Sequence, residues 1–483
     1  MTPREAQLEQ RVRQLESMVK QLSAQMQSRQ GVGAGGAAPD PPNAATAVAP
    51  SATGGVSGPG QSLPPNPPPS SRFDSPPVLA NKKASVKFGP GFEIRSDDDE
   101  FIFQFHNLTQ FEYRGYEQSN EQGAVRDSFL IPRQWFMFSG RMSKPIGYFV
   151  SLANGFDNVT ALDVFMDFDF DPRLRIRAGR YKAPFTYEFL VEPVQGLIQP
   201  ERSIFFNNFG QNRDLGVMAF GRLFRDTFDY AGGIFNGNRN GYIAPADSKF
   251  GSAFVNWKPF ANAEGSLLQN FNVGGSVFGG NSLQQPAPAT FRTVVPLVGN
   301  AVAGVPFLAL NGNVRESGPK TFWDMHAAYF YKQLAVIGEW GSGFQDYALA
   351  NTPARRTRLG VQSFYAQAGY LLTGETRSSV GIVRPRHPFS LKPGTFGLGA
   401  WELVGRYQHM DMSSNVFSAG LADPNLWANR VEIVDLGFNW HINQYLKFYF
   451  EWEHAMFNQP VEFSPGRYQI NSDLFLARMQ LYF

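Results

Sequence analysis

From about residue 86 to the last residue, apolar and polar side chains alternate at every second position, and this period of two constrains the fold more than any other feature. In "EFIFQFHNLTQFEYRGY", Phe101, Phe103, Phe105, Phe111 and Tyr113 share one face, and Gln104, His106, Gln110, Glu112 and Arg114 share the other. In "ALDVFMDFDF", Val164, Met166, Phe168 and Phe170 alternate with Asp163, Asp167 and Asp169. In "RLRIRAGRY", Leu174, Ile176 and Ala178 alternate with Arg173, Arg175 and Arg177. A soluble sandwich also alternates, but its polar face carries isolated side chains of mixed type. Here the polar faces carry runs of one charge sign, which suits a wide aqueous interior.

The alternation continues to the end. Phe475, Ala477, Met479, Leu481 and Phe483 share one face of "NSDLFLARMQLYF", with Arg478 and Gln480 on the other. Chain ends are usually polar and frayed. A terminal aromatic in phase with its strand makes sense if that strand pairs with the first one and closes a barrel. About sixteen alternating segments can be counted, from 100–116 to 473–483, an even number as closed antiparallel membrane barrels require. Sixteen strands leave a water-filled lumen, whereas about eight are filled by side chains. The expected fold is therefore all-β, a sixteen-stranded antiparallel transmembrane β-barrel over residues 86–483.

Composition agrees. Aromatic residues make up 14% of a chain whose mean hydropathy is −0.27, so much apolar surface is present without a long apolar run. No stretch of eighteen apolar residues exists, which excludes a transmembrane helix. The 43 basic and 41 acidic residues nearly balance, giving no ground for nucleic-acid binding. With no cysteine, disulfide scaffolds, zinc-thiolate sites and cysteine nucleophiles are excluded. No HExxH, Walker A or nucleophile-elbow motif occurs, and "EWEH" (451–454) puts Glu451 and Glu453 on the face opposite His454. No catalytic residue, metal or cofactor is expected. No signal peptide is legible at Met1, and a barrel of this kind needs one, so the numbered start is expected to omit or misplace it.

Two segments precede the barrel. In residues 1–30, Leu8, Val12, Leu15, Val19, Leu22 and Met26 recur at alternating spacings of four and three, the seam of an α-helical coiled coil, with Arg11 and Glu16 flanking it. Residues 31–85 are rich in Gly, Pro and Ala and poor in large apolar side chains, as in a disordered linker.

Seven stretches, in order, resemble the phosphate- and pyrophosphate-selective porin family of Gram-negative outer membranes. They are "RIRAGRYKAPFTYEFL", "RDLGVMAFGRLF", "YAGGIFNGN", "GYLLTGE", "GAWELVGRYQHMD", "LGFNWHINQYLKFYFEWEH" and "LARMQLYF". The resemblance runs from about residue 100 to the end and is most specific at Gly369–Glu375 and Gly437–Asn443. It implies a homotrimeric outer-membrane porin, in contact with lipid and lipopolysaccharide, whose third loop and one long periplasmic turn fold into the lumen. It places the coiled coil in the periplasm.

Three sets of residues follow as candidates. Arg173, Arg175 and Arg177, with Asp163, Asp167, Asp169 and Arg222, are expected on the lumen wall, Asp167 and Asp169 nearly opposite Arg175 and Arg173. The 183–212 segment matches the family's inward loop and carries Glu192, Glu201 and Arg202. The 377–394 segment corresponds to its inward turn and carries Arg384, Arg386, His387 and Lys392. A third long stretch, 279–318, is nearly uncharged. Phosphate selectivity in the family implies an unbroken ladder of Arg and Lys. Acidic side chains beside these arginines instead favour a general or mildly anion-selective channel for small hydrophilic solutes. The alternative reading is structural: a barrel that tethers the outer membrane to peptidoglycan, or to a periplasmic partner, through the coiled coil.

Overall fold

In the computed structural model, the described residues are 83–89, 91–117, 125–155, 158–244, 246–286, 290–294 and 304–483. The coiled-coil seam and nearly all of the linker lie outside them. A hairpin comes first, β1 (Ala84–Gly89) and β2 (Gly91–Ser96), so strand begins two residues before the expected boundary at 86. Then follow β3 (Ile102–Tyr116), β4 (Ser128–Ser143), β5 (Ile146–Gly155), β6 (Asn158–Asp171), β7 (Leu174–Lys182) and β8 (Arg213–Leu223). Next are β9 (Phe228–Phe235), β10 (Phe250–Trp257), β11 (Phe271–Pro286), β12 (Thr290–Arg292) and β13 (Pro306–Ala309). The last seven are β14 (Val314–Tyr331), β15 (Leu334–Leu349), β16 (Arg356–Leu371), β17 (Ala400–Met412), β18 (Arg430–His441), β19 (Leu446–Ser464) and β20 (Arg467–Tyr482).

Strands β3–β11 and β14–β20 make one antiparallel sheet in chain order, and β20 pairs back onto β3, from Leu474↔Tyr116 to Tyr482↔Leu108. This closes a sixteen-stranded barrel without a bare edge, which a sheet in lipid requires. Phe483 completes the seam. Its N–H donates to the Asn107 carbonyl at 3.1 Å, its carbonyl accepts from the Asn107 N–H at 2.7 Å, and its ring meets Phe105 edge-on. Below that point β20 has ended, and β2 takes its place along β3, pairing Phe92 with Phe105 and Arg95 with Ile102.

The alternation sets the two faces. Phe111, Tyr113, Phe475, Met479 and Leu481 are exposed on the outside, while Gln110, Glu112, Arg114, Arg478 and Gln480 are buried inside. Every expected segment coincides with a strand, but several strands run further. β15 continues to Leu349, β19 reaches Ser464 and β20 starts at Arg467. These extensions lie at the end of the barrel that carries the long loops. There the apolar residues of β15 and β19, such as Tyr347, Phe457 and Phe463, are covered by loops, while Tyr468 and Ile470 of β20 stay exposed, so the apolar phase that marks a lipid-facing strand weakens.

The same end is packed with loop side chains. Phe205 and Phe209 of the 183–212 segment form one buried cluster with Phe291, Val305, Phe307 and Leu308, and with Val416 and Leu421 from the loop before β18. The nearly uncharged 279–318 stretch thus supplies the end of β11, the start of β14, the small β12–β13 sheet and part of this apolar cap.

Candidate pore and constriction

Residues 183–212 leave β7, enter the barrel and return to β8. They form two short helices, Tyr187–Leu190 and Ile204–Phe209, joined by a 3-10 turn at Val194–Gly196. Between the helices, backbone carbonyls that lack a helical partner face the wall of β17–β20. Side chains from that wall donate to them one after another: Gln480 Nε2 to Gln195 at 2.9 Å, Lys447 Nζ to Leu197 at 2.8 Å, and Asn439 Nδ2 to Ile198 at 2.8 Å. Arg478 Nη1 reaches the Pro200 carbonyl at 2.5 Å and Arg406 Nη1 the Glu201 carbonyl at 2.7 Å. Buried carbonyls left without donors would each cost about 1–3 kcal/mol, so this row of donors fixes the segment's position.

Charge fixes it further. The Glu201 carboxylate lies 2.7 Å from Arg133 and 2.5 Å from Arg478, with Arg114 at 3.7 Å. Arg478 and Arg114 also both contact Glu112. Burial opposes ionisation of Glu201, but Arg133, Arg478 and Arg114 outweigh it and hold the carboxyl well below the usual carboxylate range. On β15, Glu339 accepts from the N–H groups of Tyr187 and Glu188 at 2.8 and 2.7 Å, and on β17, Gln408 accepts from the Ile204 N–H at 2.8 Å. Phe205 lies flat on Gly341, where a Cβ would come within 2.2 Å of its ring, so β15 needs glycine there.

With the segment held against β3 and β15–β20, open space remains along β4–β8. A mouth cavity of about 620 Å3 at the short-turn end is lined by Arg141, Lys144, Asp167, Asp169, Arg175 and Arg177, among others. An inner cavity of about 400 Å3 lies deeper, between the wall and the inserted segment, and includes Trp135, Phe165, Lys182, Phe189, Arg202 and Arg213 in its lining. The two share Ser139, Phe149, Phe165 and Arg177 and so form one passage.

Arg173, Arg175 and Arg177 pair with Asp171, Asp169 and Asp167 at 2.7, 2.9 and 2.7 Å. This corrects the expected register by two residues. Asp171 pairs with Leu174 across a two-residue turn, and an irregularity in the pairing between Phe168 and Asp171 then sets Asp167 opposite Arg177 rather than Arg175. Arg173 is mostly exposed at the turn, and Arg222 is exposed at the margin of the passage. The three arginines therefore alternate with carboxylates and do not make an unbroken basic ladder. Asp163 lies deeper, where it accepts from Ser151 Oγ at 2.7 Å and pairs with Arg213 at 3.0 Å.

Around the inner cavity the sequence reading missed Arg133, Lys182 and Arg213. Lys182 Nζ, Arg202 Cζ and Arg213 Cζ lie 4.9, 5.2 and 5.8 Å from the centre of the Phe189 ring. Lys182 donates to the Phe189 carbonyl at 2.8 Å and Arg202 to the Glu192 carbonyl at 3.0 Å. Burial, with Glu188 adding to it, pushes the Glu192 carboxyl up to about 8 despite Arg202, Arg406 and Lys182 nearby.

The long turn after β16 also enters the barrel, but not with the cations named from sequence. Arg384, Arg386 and Lys392 are exposed. The inward part is apolar: Val380 packs with Tyr187 and Ile198, and Ile382 packs with Trp135 and Val194. Gly381 comes so close to Gly196 of the inserted segment that a Cβ on Gly196 would fall 2.7 Å from its Cα. The cation this turn brings inside is Arg377, 2.7 Å from Glu402.

Residues 313–483, the last seven strands, match the model of the family described as phosphate-selective porin O and P. Porin O of Pseudomonas aeruginosa strain PAO1 is 22% identical over 402 residues, covering 75% of this chain and 84% of its own length. An uncharacterized protein of Caulobacter vibrioides is 25% identical over 287 residues, 59% of this chain and 56% of its own. Among solved structures, the anion-selective porin from Comamonas acidovorans is 10% identical, with 80% of this chain and 100% of that chain covered, at a TM-score of 0.47. Salmonella typhi OmpF in complex with daunomycin is 10% identical, with 83% and 100% covered, at a TM-score of 0.48. These last two overlaps are too loose to bear on function. Over its last seven strands the chain is thus similar to the phosphate-selective porins O and P, and over most of its length it is similar to Porin O.

Proposed function

We propose that this porin passes small hydrophilic solutes by diffusion through the space between the inserted 183–212 segment and strands β4–β8, with a mild preference for anions. The observation that carries this reading is the fixing of the segment to one wall, which leaves a cation-rich passage along the other. A channel does no chemistry on its solute. It needs a constriction, a field, and polar groups that replace lost hydration.

The mouth is nearly balanced, because each arginine has its aspartate. The preference arises deeper, where Lys182 and Arg202 meet no carboxylate within 4 Å among the described residues. Orientation follows from the loops: the long-loop end faces outward, and both ends of the barrel sequence, Ile102 and Phe483, lie at the periplasmic end. The segment before β1 would then start in the periplasm. Assembly as a homotrimer belongs to the same proposal and rests on the sequence resemblance. Reversal potentials in a potassium chloride gradient across planar bilayers test the reading. A modest anion preference is expected, and a cation-selective or non-conducting barrel would refute it.

A further inference from the structure

The inner cavity has walls that a small, fully hydrated oxyanion would use poorly. Its accessible apolar surface comes from Phe149 and Phe165 on the wall, whose rings stack at 5.3 Å, from Met137, and from Leu190 and Pro193 on the inserted segment. Its cations are mostly committed. Arg133 is bound to Glu201, Arg177 to Asp167 and Arg213 to Asp163, and Arg202 is almost wholly buried. Lys182 is different. It is only half-buried, spends one donor on the Phe189 carbonyl, and meets no carboxylate within 4 Å among the described residues.

One available positive charge beside aromatic and aliphatic walls selects for one negative charge on an apolar body. We propose that this cavity is a binding subsite for monoanionic organic acids carrying an aromatic ring or a comparable apolar group, Lys182 taking the carboxylate and Phe149 the ring. The proposal rests on the passage being the conducting path. Inorganic phosphate carries more charge than Lys182 alone offsets and has no apolar face, so burying it here strips hydration that the walls do not replace. A ring against Phe149 gains both area burial and edge or offset stacking. At about 400 Å3 the cavity lies in the range of about 300–1,000 Å3 that small-ligand sites occupy.

The test uses the full chain in planar bilayers with chloride as the current carrier, and benzoate, acetate and phosphate as blockers. Benzoate is expected to reduce the chloride current at about a tenfold lower concentration than acetate, which shares its carboxylate but lacks the ring. Phosphate is expected to be no better than acetate. Lys182→Gln should weaken benzoate and acetate together. Phe149→Leu, which keeps the site apolar and the strand intact, should remove most of benzoate's advantage over acetate. If benzoate and acetate block equally, or phosphate blocks best, with an intact anion-selective current, the subsite is wrong and the pore reading stands. Absence of a chloride current would overturn both.

Discussion

Arg478 on the closing strand and Glu201 in the inserted segment, 277 residues apart in the chain, form a buried ion pair at 2.5 Å. The same Arg478 donates to the neighbouring Pro200 carbonyl and contacts Glu112 on β3. The residue that helps close the barrel therefore also decides where its lumen is open.

Removing one member of such a cluster leaves buried charge without compensation, at a cost of about 3–5 kcal/mol. Glu201→Gln leaves Arg133, Arg478 and Arg114 facing one another and should release the segment from its wall. Heat-induced loss of β structure should occur at a lower temperature, and single-channel current should become larger and noisier. Unchanged thermal stability and a quiet, wild-type conductance would show that the row of carbonyl contacts suffices alone.

Glu192 provides a pH test. Its carboxyl sits at about 8, above the ordinary 4.5, so the folded state holds a proton there that the unfolded chain has lost. Its contribution to stability is complete below about 4.5 and disappears as pH rises through about 8. Across that window the new negative charge also offsets Arg202, with Glu188, Arg406 and Lys182 the other charges nearby. Anion preference should therefore weaken between about pH 6 and about pH 9.5, and Glu192→Gln should flatten the profile. Reversal potentials at the two pH values decide it.

The C-terminal seam should be sensitive to small changes. Deleting Phe483 removes both backbone hydrogen bonds to Asn107 and the contact with Phe105. Phe483→Ser removes only the ring. Both variants should yield less assembled, heat-resistant protein in the outer membrane, the deletion more severely, as read by quantitative gel analysis of membrane fractions. Equal yields for all three proteins would contradict the role given to this residue.

At the mouth, replacing Arg173, Arg175 and Arg177 together by Gln leaves Asp171, Asp169 and Asp167 without partners. Selectivity should move toward cations. The shift should shrink with added salt, as the Debye length falls from about 10 Å at 0.1 M to about 3 Å at 1 M. A reversal potential unchanged at low salt would mean that ions avoid this wall.

The wall of the barrel was legible because every strand faces the same two environments, lipid and water, and period two reports them directly. Phe483 and the faces of β3 and β20 could be read residue by residue. The register of Asp167 against Arg177 could not, because it depends on the irregularity between Phe168 and Asp171 as well as on the turn that follows. Nor could the inner cavity. Lys182 occupies an even position and by strict alternation would face away from Arg177, but it is the last residue of β7, where the chain leaves the strand. Arg133 and Arg478 look like any lumen-facing residues until the 183–212 segment brings Glu201 between them. Arg384, Arg386 and Lys392 stood out by charge, yet their turn inserts its apolar residues, which pack against the segment, and leaves those cations in water.

The central claim is that solute moves along β4–β8 and not behind the inserted segment. The chain has no cysteine, so a single introduced thiol reports its own surroundings. Ser139 lines both cavities of the passage, whereas Ser363 is buried in β16, on the wall against which the segment packs, and donates to the His409 carbonyl. Under a small anionic thiol-reactive reagent, the current through Ser139→Cys channels should fall steeply and that through Ser363→Cys channels should persist. Rapid block of the Ser363→Cys channel, with the Ser139→Cys channel unaffected, would place the conducting path on the opposite wall.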